Sequence, residues 1–270
     1  MFIERQFDTG AAILNYAEGE GGRPPLVLLH GMSLWWKYFL PVLPHFAIRW
    51  HTYALDLRGH GKSSHVPQGY EWPAIADDCR IFLEQQVREP AVLLGHSLGG
   101  MAAIQVAATC PELVRALVLE DPPLCSYRRR GRGADRNFVQ FRDLAASDLS
   151  IGAITAELTS SRPERDAVWP RLRARSLILL DPDALTMEFD GRAKEHYDVD
   201  KLLPAVTCPV LLLRADPAMS PAISDDDEAQ TKAALADLTV VRFAGIGHPI
   251  SPTKPDLYAR VVTDFLESLE

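Results

Sequence analysis

The chain predicts an α/β fold, a mostly parallel eight-stranded sheet with helices on both faces. Three observations carry this. Apolar runs of strand length recur without polar interruption, at Leu26–Leu29, Ala91–Leu94, Ala116–Leu119 and Val210–Leu213, as strands covered on both faces require. Helix-period patterns stand between most of them, and that alternation implies parallel strands joined by crossover helices. One run, from Ala91, passes through Gly95-His96-Ser97-Leu98-Gly99-Gly100 into a helical pattern from Met101, a strand turning sharply into a helix.

In chain order, residues 2–18 alternate apolar and polar around Asp8-Thr9-Gly10, which reads as a hairpin at one sheet edge. Gly19 to Pro25 is rich in turn residues and leads to the Leu26–Leu29 strand, which ends at His30-Gly31-Met32. A helix bearing Trp35, Trp36, Phe39, Leu43 and Phe46 follows, made short or broken by Pro41 and Pro44. These aromatics read as core and pocket wall. His51–Asp56 is the next strand, running into Leu57-Arg58-Gly59-His60-Gly61-Lys62-Ser63. An amphipathic helix covers 72–88, with Ile75, Cys79, Phe82, Leu83 and Val87 on one face. The strand at 91–95 and a helix to about 109 come next, then a strand ending at Glu120-Asp121.

From there the rhythm breaks. Between Leu124 and Pro204 no strand is evident and helical patterns recur between charges and prolines. Residues 125–204 read as a helical cap inserted into a core of 1–124 and 205–270. Alternation resumes with a strand at 209–213, a helix near 226–236, a strand at 238–243, and a closing helix from Pro255 to Leu269. In such sheets, sites lie outside the carboxyl ends of the strands. Ser97, the His30-Gly31-Met32 segment, Asp121, Asp216 and His248 all fall just past strand ends.

Bulk properties narrow the function. The chain has 270 residues, 47% hydrophobic, and a net charge of −8. That excludes a general nucleic-acid surface. The run Arg128-Arg129-Arg130-Gly131-Arg132 reads as a solvated loop. Cys79, Cys110, Cys125 and Cys208 are scattered, with no C-x-x-C pair, and read as buried thiols in a reducing compartment. The start lacks the charged-then-apolar order of a signal peptide, and no apolar run approaches the roughly 20 residues of a membrane span. The expectation is a cytoplasmic protein without membrane association, monomer or homodimer, with no metal and no organic cofactor.

The chemistry centres on Gly95-x-Ser97-x-Gly99. A strand-to-helix turn this tight forces its central residue into a strained backbone and projects the hydroxyl above the sheet edge. Gly95 and Gly99 are needed where strand and helix cross. The Leu98 N–H, at the helix start, points to where an oxyanion would form.

With His30-Gly31, Asp56-Leu57-Arg58-Gly59-His60-Gly61-Lys62-Ser63, Gly95-His96-Ser97-Leu98-Gly99-Gly100 and Gly247-His248 standing in that order, the sequence resembles α/β-hydrolase-fold serine hydrolases. The resemblance implies Ser97 as nucleophile and His248 as its base. It implies an oxyanion hole from the Met32 and Leu98 amides, with Gly31 letting that backbone approach the substrate. His30, His60 and His96 take non-catalytic roles, and Asp56 a structural one. The triad acid is open between two positions. The family's usual place, after the strand at 209–214, holds Asp216, but counting from Ala215 as the glycine site puts the expected acid at Ala218. The alternative place holds Asp121, which is preferred. Glu120 should face away from it, since strand side chains alternate. The Asp225-Asp226-Asp227-Glu228 run reads as helix N-cap and first-turn acids.

The implied reaction is acyl transfer to water, from a small hydrophobic ester or lactone. Amide, carbamate or carbon–carbon hydrolysis on the same residues stays open. A serine at the elbow argues against the dehalogenase and epoxide hydrolase relatives, which place a carboxylate there. Trp169, Met187, Phe189 and Tyr197 are candidate pocket walls in the cap. The reading from a different class is a non-catalytic small-ligand receptor on the same fold.

Overall fold

A computed structural model describes residues 2–22, 24–124, 136–161 and 168–269. Eight strands form one sheet: β1 (Phe2–Asp8), β2 (Ile13–Gly19), β3 (Pro25–Leu29), β4 (His51–Leu55), β5 (Ala91–His96), β6 (Val114–Glu120), β7 (Val210–Ala215) and β8 (Leu238–Phe243). Their spatial order is β1-β2-β4-β3-β5-β6-β7-β8. The β1–β2 and β2–β4 pairs are antiparallel and the remaining pairs parallel. The edge hairpin pairs Phe2 with Gly19 and Asp8 with Ile13. Its turn uses Gly10 at φ +84°, a left-handed conformation that glycine adopts without penalty. The central strands β3 and β5 are buried at every position, as their unbroken apolar runs require.

Two apolar layers enclose the sheet. On one side α1 (Trp72–Phe82) and α2 (Leu98–Thr109) pack Ile75, Phe82, Met101 and Ile104 against Leu93 and Leu117. On the other, Phe39, Phe46, Tyr258, Val262 and Leu266 cover Leu28, Leu94 and Val118. The segment after β3 is broken as its prolines predict, into a 3₁₀ turn at Trp36–Phe39 and a short helix at Leu43–Phe46. The 72–88 helix is not α-helical throughout. After Phe82 it loosens into a π turn, Leu83–Val87, and stops at Arg88 with φ +62°.

Between β6 and β7 the described residues hold helices and no strand: α3 (Arg136–Ala145), α4 (Ile151–Ser161), α5 (Trp169–Ile178), α6 (Pro182–Asp190) and a short helix at Val199–Leu202. Ile154, Leu158, Leu177 and Leu185 from this segment bury into the same apolar layer as α1 and α2. Polar ties bind it to the rest. The Tyr197 hydroxyl donates to the Met101 carbonyl at 2.8 Å, the Asp181 N–H to the Gly59 carbonyl at 2.7 Å, and the Tyr70 hydroxyl to Asp181 at 2.6 Å. The arginine run at 128–132 and Cys125 lie outside the described residues. The other cysteines, Cys79, Cys110 and Cys208, are free thiols. Among the described residues no helix is long and apolar enough to cross a membrane.

The chain closes with α7 (Asp225–Ala234) and α8 (Pro255–Glu267). The α7 N-cap is Ser224 rather than an aspartate. Its hydroxyl accepts from the Asp227 N–H while the Asp227 carboxylate accepts from the Ser224 N–H, a reciprocal capping box. Glu228 leaves the acidic run to bond Arg214, Lys232 and Arg242, which hold its carboxyl down at about 2 against the effect of burial.

Candidate active site

Ser97 sits between β5 and α2 at φ +51°, ψ −115°, a region L-residues occupy only where surrounding structure enforces it. The enforcement is visible. A Cβ on Gly95 would lie 2.4 Å from the Gly99 carbonyl oxygen, and one on Gly99 would lie 2.1 Å from that of Leu29. Only glycines permit strand, turn and helix to approach this closely. The Ser97 N–H donates to the Glu120 carbonyl at 3.0 Å, tying the turn to the end of β6.

The loop after β3 comes within contact of the same turn. A Cβ on Gly31 would meet His96 Cδ2 at 2.7 Å and Ser97 Cβ at 3.1 Å. That places the Met32 backbone beside Ser97. Among the described residues neither the Met32 nor the Leu98 N–H donates to a protein acceptor, and Leu98 opens a helix, where amides lack intrahelical partners. Two imidazoles shape this loop. His60 Nε2 accepts from the Ser33 N–H at 3.1 Å, and His30 Nε2 accepts from the Leu57 N–H at 3.0 Å. Their Nδ1 atoms donate to the Arg58 and Gly31 carbonyls, so both rings are neutral. Asp56 orders the neighbouring turn, accepting from the Trp36 and Lys62 amides and from the Asn15 side chain at 2.7–2.9 Å.

The two candidate acids have different partners. Asp121, at φ +45° and fully buried, accepts from His248 Nδ1 at 2.7 Å. Its Oδ2 also accepts from the Ala222 N–H at 2.8 Å. With Nδ1 donating, His248 Nε2 carries the lone pair. Asp216 is engaged elsewhere. Its oxygens accept from the Ala218 and Gly245 amides at 2.8 and 2.6 Å, which hold its carboxyl below the usual range. It caps a turn instead of meeting the histidine. Ala218, where the counted spacing placed the acid, only supplies one of those amides.

His248 packs against His96, the residue before Ser97, with ring centroids 4.7 Å apart. Burial holds the His96 imidazole far below its ordinary value, so a neutral ring fills the space behind His248. On the far side of His96 the Tyr38 ring stacks at 4.6 Å, and the Tyr38 hydroxyl donates to Glu120. Glu120, the last residue of β6, takes partners other than the His248 ring: the Tyr38 hydroxyl and the Ile250 and Ser251 amides. The sequence offered no signal for its contacts beyond an acid ending a buried strand.

The cap candidates separate. Met187 and Tyr197 are buried in packing, the Tyr197 ring edge-on to Trp72 at 5.2 Å. Phe189 is half-buried beneath Arg142. Trp169 is half-buried beside Arg173, whose Nη1 donates to the Ser33 carbonyl and hydroxyl at 3.0 Å. The Arg173 contact, absent from the sequence reading, joins α5 to the loop carrying Met32. Among the described residues no cluster of side chains could hold a metal ion.

The chain matches the alpha/beta hydrolase family over residues 26–261. It is 31% identical to 2-(acetamidomethylene)succinate hydrolase of Mesorhizobium japonicum, across 99% of this chain and 96% of that protein. It is 29% identical to N-formylmaleamate deformylase of Pseudomonas putida, across 94% of this chain and 92% of that protein. Among solved structures, E-2-(acetamidomethylene)succinate hydrolase superposes with a TM-score of 0.79 at 29% identity, covering 99% of this chain and all of that one. N-formylmaleamic acid deformylase from Pseudomonas putida superposes with a TM-score of 0.82 at 23% identity, over 97% of this chain and 100% of that one, a likeness of fold.

Proposed function

The chain belongs to the alpha/beta hydrolase family, and from that premise we propose that it hydrolyses a carboxylic ester or lactone through an acyl-enzyme on Ser97. The observation that carries this reading is the His248–Asp121 hydrogen bond of 2.7 Å on a ring packed beside the Ser97 turn. It leaves Nε2 as the acceptor for the serine proton.

In the first step Ser97 Oγ attacks the carbonyl carbon while His248 takes its proton. The Met32 and Leu98 amides receive the negative oxygen, with donors fixed before the charge develops. The histidine then protonates the leaving alcohol. In the second step it deprotonates water, which attacks the acyl-enzyme and releases the acid. Asp121 keeps the proton on Nδ1 and stabilises the imidazolium. The substrate of this reading is small and largely apolar.

Hydrolysis of an N-acyl bond is the second reading. It is favoured by the names of the two relatives matched along nearly their full length, one acting on an acetamido compound and the other a deformylase. The same residues serve, with an amine as leaving group.

A fluorophosphonate probe tests the common premise. Labelling should fall on Ser97 and vanish in Ser97→Ala, together with turnover of a short-chain p-nitrophenyl ester. Folded wild-type protein that neither labels nor turns over would overturn the reading and favour a ligand receptor. A panel of esters, lactones and amides then separates the two bond types.

A further inference from the structure

We propose that Glu120 is a positioning residue for His248, holding the loop that carries the base in register with Asp121. The proposal rests on the reading of His248 given above. One atom does the holding. Glu120 Oε1 accepts from the Tyr38 hydroxyl at 2.7 Å, the Ile250 N–H at 2.8 Å and the Ser251 N–H at 2.9 Å. Ile250 and Ser251 lie just past His248 in the chain, so the carboxylate grips the loop on one side of the base while Asp121 grips the ring itself.

Tyr38 extends the grip. Its ring stacks on His96 with an interplanar angle of 17°, and His96 in turn packs against His248. Tyr38 cannot rotate without losing Glu120, and His96 cannot shift without Tyr38. The main chain of the same residue reaches the nucleophile, since the Glu120 carbonyl accepts from the Ser97 N–H. Consecutive positions at the end of β6 thus address the nucleophile's backbone, the base's loop and the base's ring.

Packing alone gives no reason for an acid here. Glu120 has no solvent exposure and its side chain lies against the apolar layer of Val118 and Phe39, with the Tyr258 hydroxyl acting on its carboxyl and His96 Nδ1 3.6 Å from Oε1. A buried carboxylate is costly unless its oxygens are hydrogen-bonded, and an aliphatic side chain would fill the space without that cost. Burial does push the Glu120 carboxyl up, while the Ser251 and Ile250 amides and the Tyr38 hydroxyl pull it back. What the carboxylate adds is an acceptor at one point in space, and a base must be held within fractions of an ångström to work.

The test contrasts Glu120→Gln with Glu120→Asp. The amide keeps an acceptor oxygen at the same reach and loses the charge. The aspartate keeps the charge and withdraws it by about 1.5 Å, one carbon–carbon bond. Two readouts are taken on protein whose folding is checked by circular dichroism. The first is kcat and KM on p-nitrophenyl acetate. The second needs no substrate: the low-field proton resonance of the His248 Nδ1–H, assigned by its loss in His248→Gln.

Glu120→Gln should keep the resonance and a kcat within about threefold of wild type. Glu120→Asp should shift or broaden the resonance and lower kcat by about tenfold or more, with KM within about twofold. If Glu120→Asp does not fold, Tyr38→Phe removes one donor and should move the resonance in the same direction. An unchanged resonance in Glu120→Asp, or in Tyr38→Phe where that variant stands in, overturns the proposal, as does a larger loss in Glu120→Gln than in Glu120→Asp. A wild type that shows the resonance but neither labels nor turns over would remove the hydrolase reading and leave the positioning result standing.

Discussion

Asp121 and Glu120 adjoin at the end of β6 and take different partners around His248. Asp121 reaches the ring of His248 across 127 positions of sequence, and Glu120 reaches Tyr38 across 82. The mechanistic weight of the first contact can be measured. Asp121→Asn keeps shape and loses the charge that favours the Nδ1–H tautomer, so kcat should fall on the order of a thousandfold or more with the fold intact. Asp216→Asn should leave turnover near wild type, because that carboxylate only caps a turn and ties Gly245. Steady-state kinetics of the two variants side by side decides the matter, and the reverse pattern would return the role to Asp216. The residues of the site that the sequence made legible share one property. Ser97, Met32, Leu98, Asp121 and His248 each follow a strand end, and strand ends announce themselves locally. Nothing local distinguishes Asp121 from Asp216. The choice depends on how the 215–222 loop folds back to give Asp121 the Ala222 amide. Tyr38, Glu120 and Arg173 left no trace because their meaning lies wholly in partners distant along the chain.

At the scale of elements, the turn at Ser97 is a crossing of backbones, and its glycines fall into a clear order of cost. Gly99 is pressed against the end of β3, where an added Cβ would lie 2.1 Å from the Leu29 oxygen, an atom that cannot rotate away. Gly99→Ala should destabilise the protein by about 1–3 kcal/mol or more and displace Ser97, lowering activity along with stability. Gly152 is the control. It lies exposed near the start of α4, and a Cβ there would meet only the Ser150 hydroxyl, at 3.8 Å. Gly152→Ala should stabilise by about 0.5–1 kcal/mol, through reduced freedom of the unfolded chain. Thermal unfolding of both variants checks the ordering, and equal effects would mean that the crossing is looser than drawn. The inner strands β3, β5 and β7 were evident in the sequence because burial on both faces makes them almost wholly apolar, and the edge hairpin because its side chains alternate around a turn. Helix ends were less legible. The π turn after Phe82 continues the apolar face of α1, so periodicity runs through it unchanged. Ser224 was hidden as an N-cap by the three aspartates that follow it.

The whole molecule should respond to acid through its buried imidazoles. His30, His60 and His96 are enclosed, and burial holds His60 down to about 4 and the other two well below the ordinary value. The rings of His30 and His60 lie 5.1 Å apart, so a charge on one opposes a charge on the other. In the unfolded chain these groups take protons near pH 6.5. The unfolded state therefore binds more protons than the native state below that pH, and stability must fall as pH falls from about 6.5 through about 4. Asp56 acts with the opposite sign. Burial raises its carboxyl to about 6, so the native state protonates it before the unfolded chain does, and it adds stability as pH falls through 6. Glu120 and Glu188, whose carboxyls burial also pushes up, act with the sign of Asp56, but the unfolded chain's imidazoles take their protons first as pH falls, so the slope is unfavourable at the upper end of the window. The urea midpoint should drop between pH 7.5 and 5, and His60→Gln should flatten the drop by removing one imidazole, whatever it does to stability at neutral pH. An undiminished slope in that variant would clear His60. Loss of activity through this ring should come lower, near pH 4, where His60 takes a proton in the folded protein. Protonated His60 Nε2 can no longer accept from the Ser33 N–H, and the loop so released is the one that carries the Met32 amide.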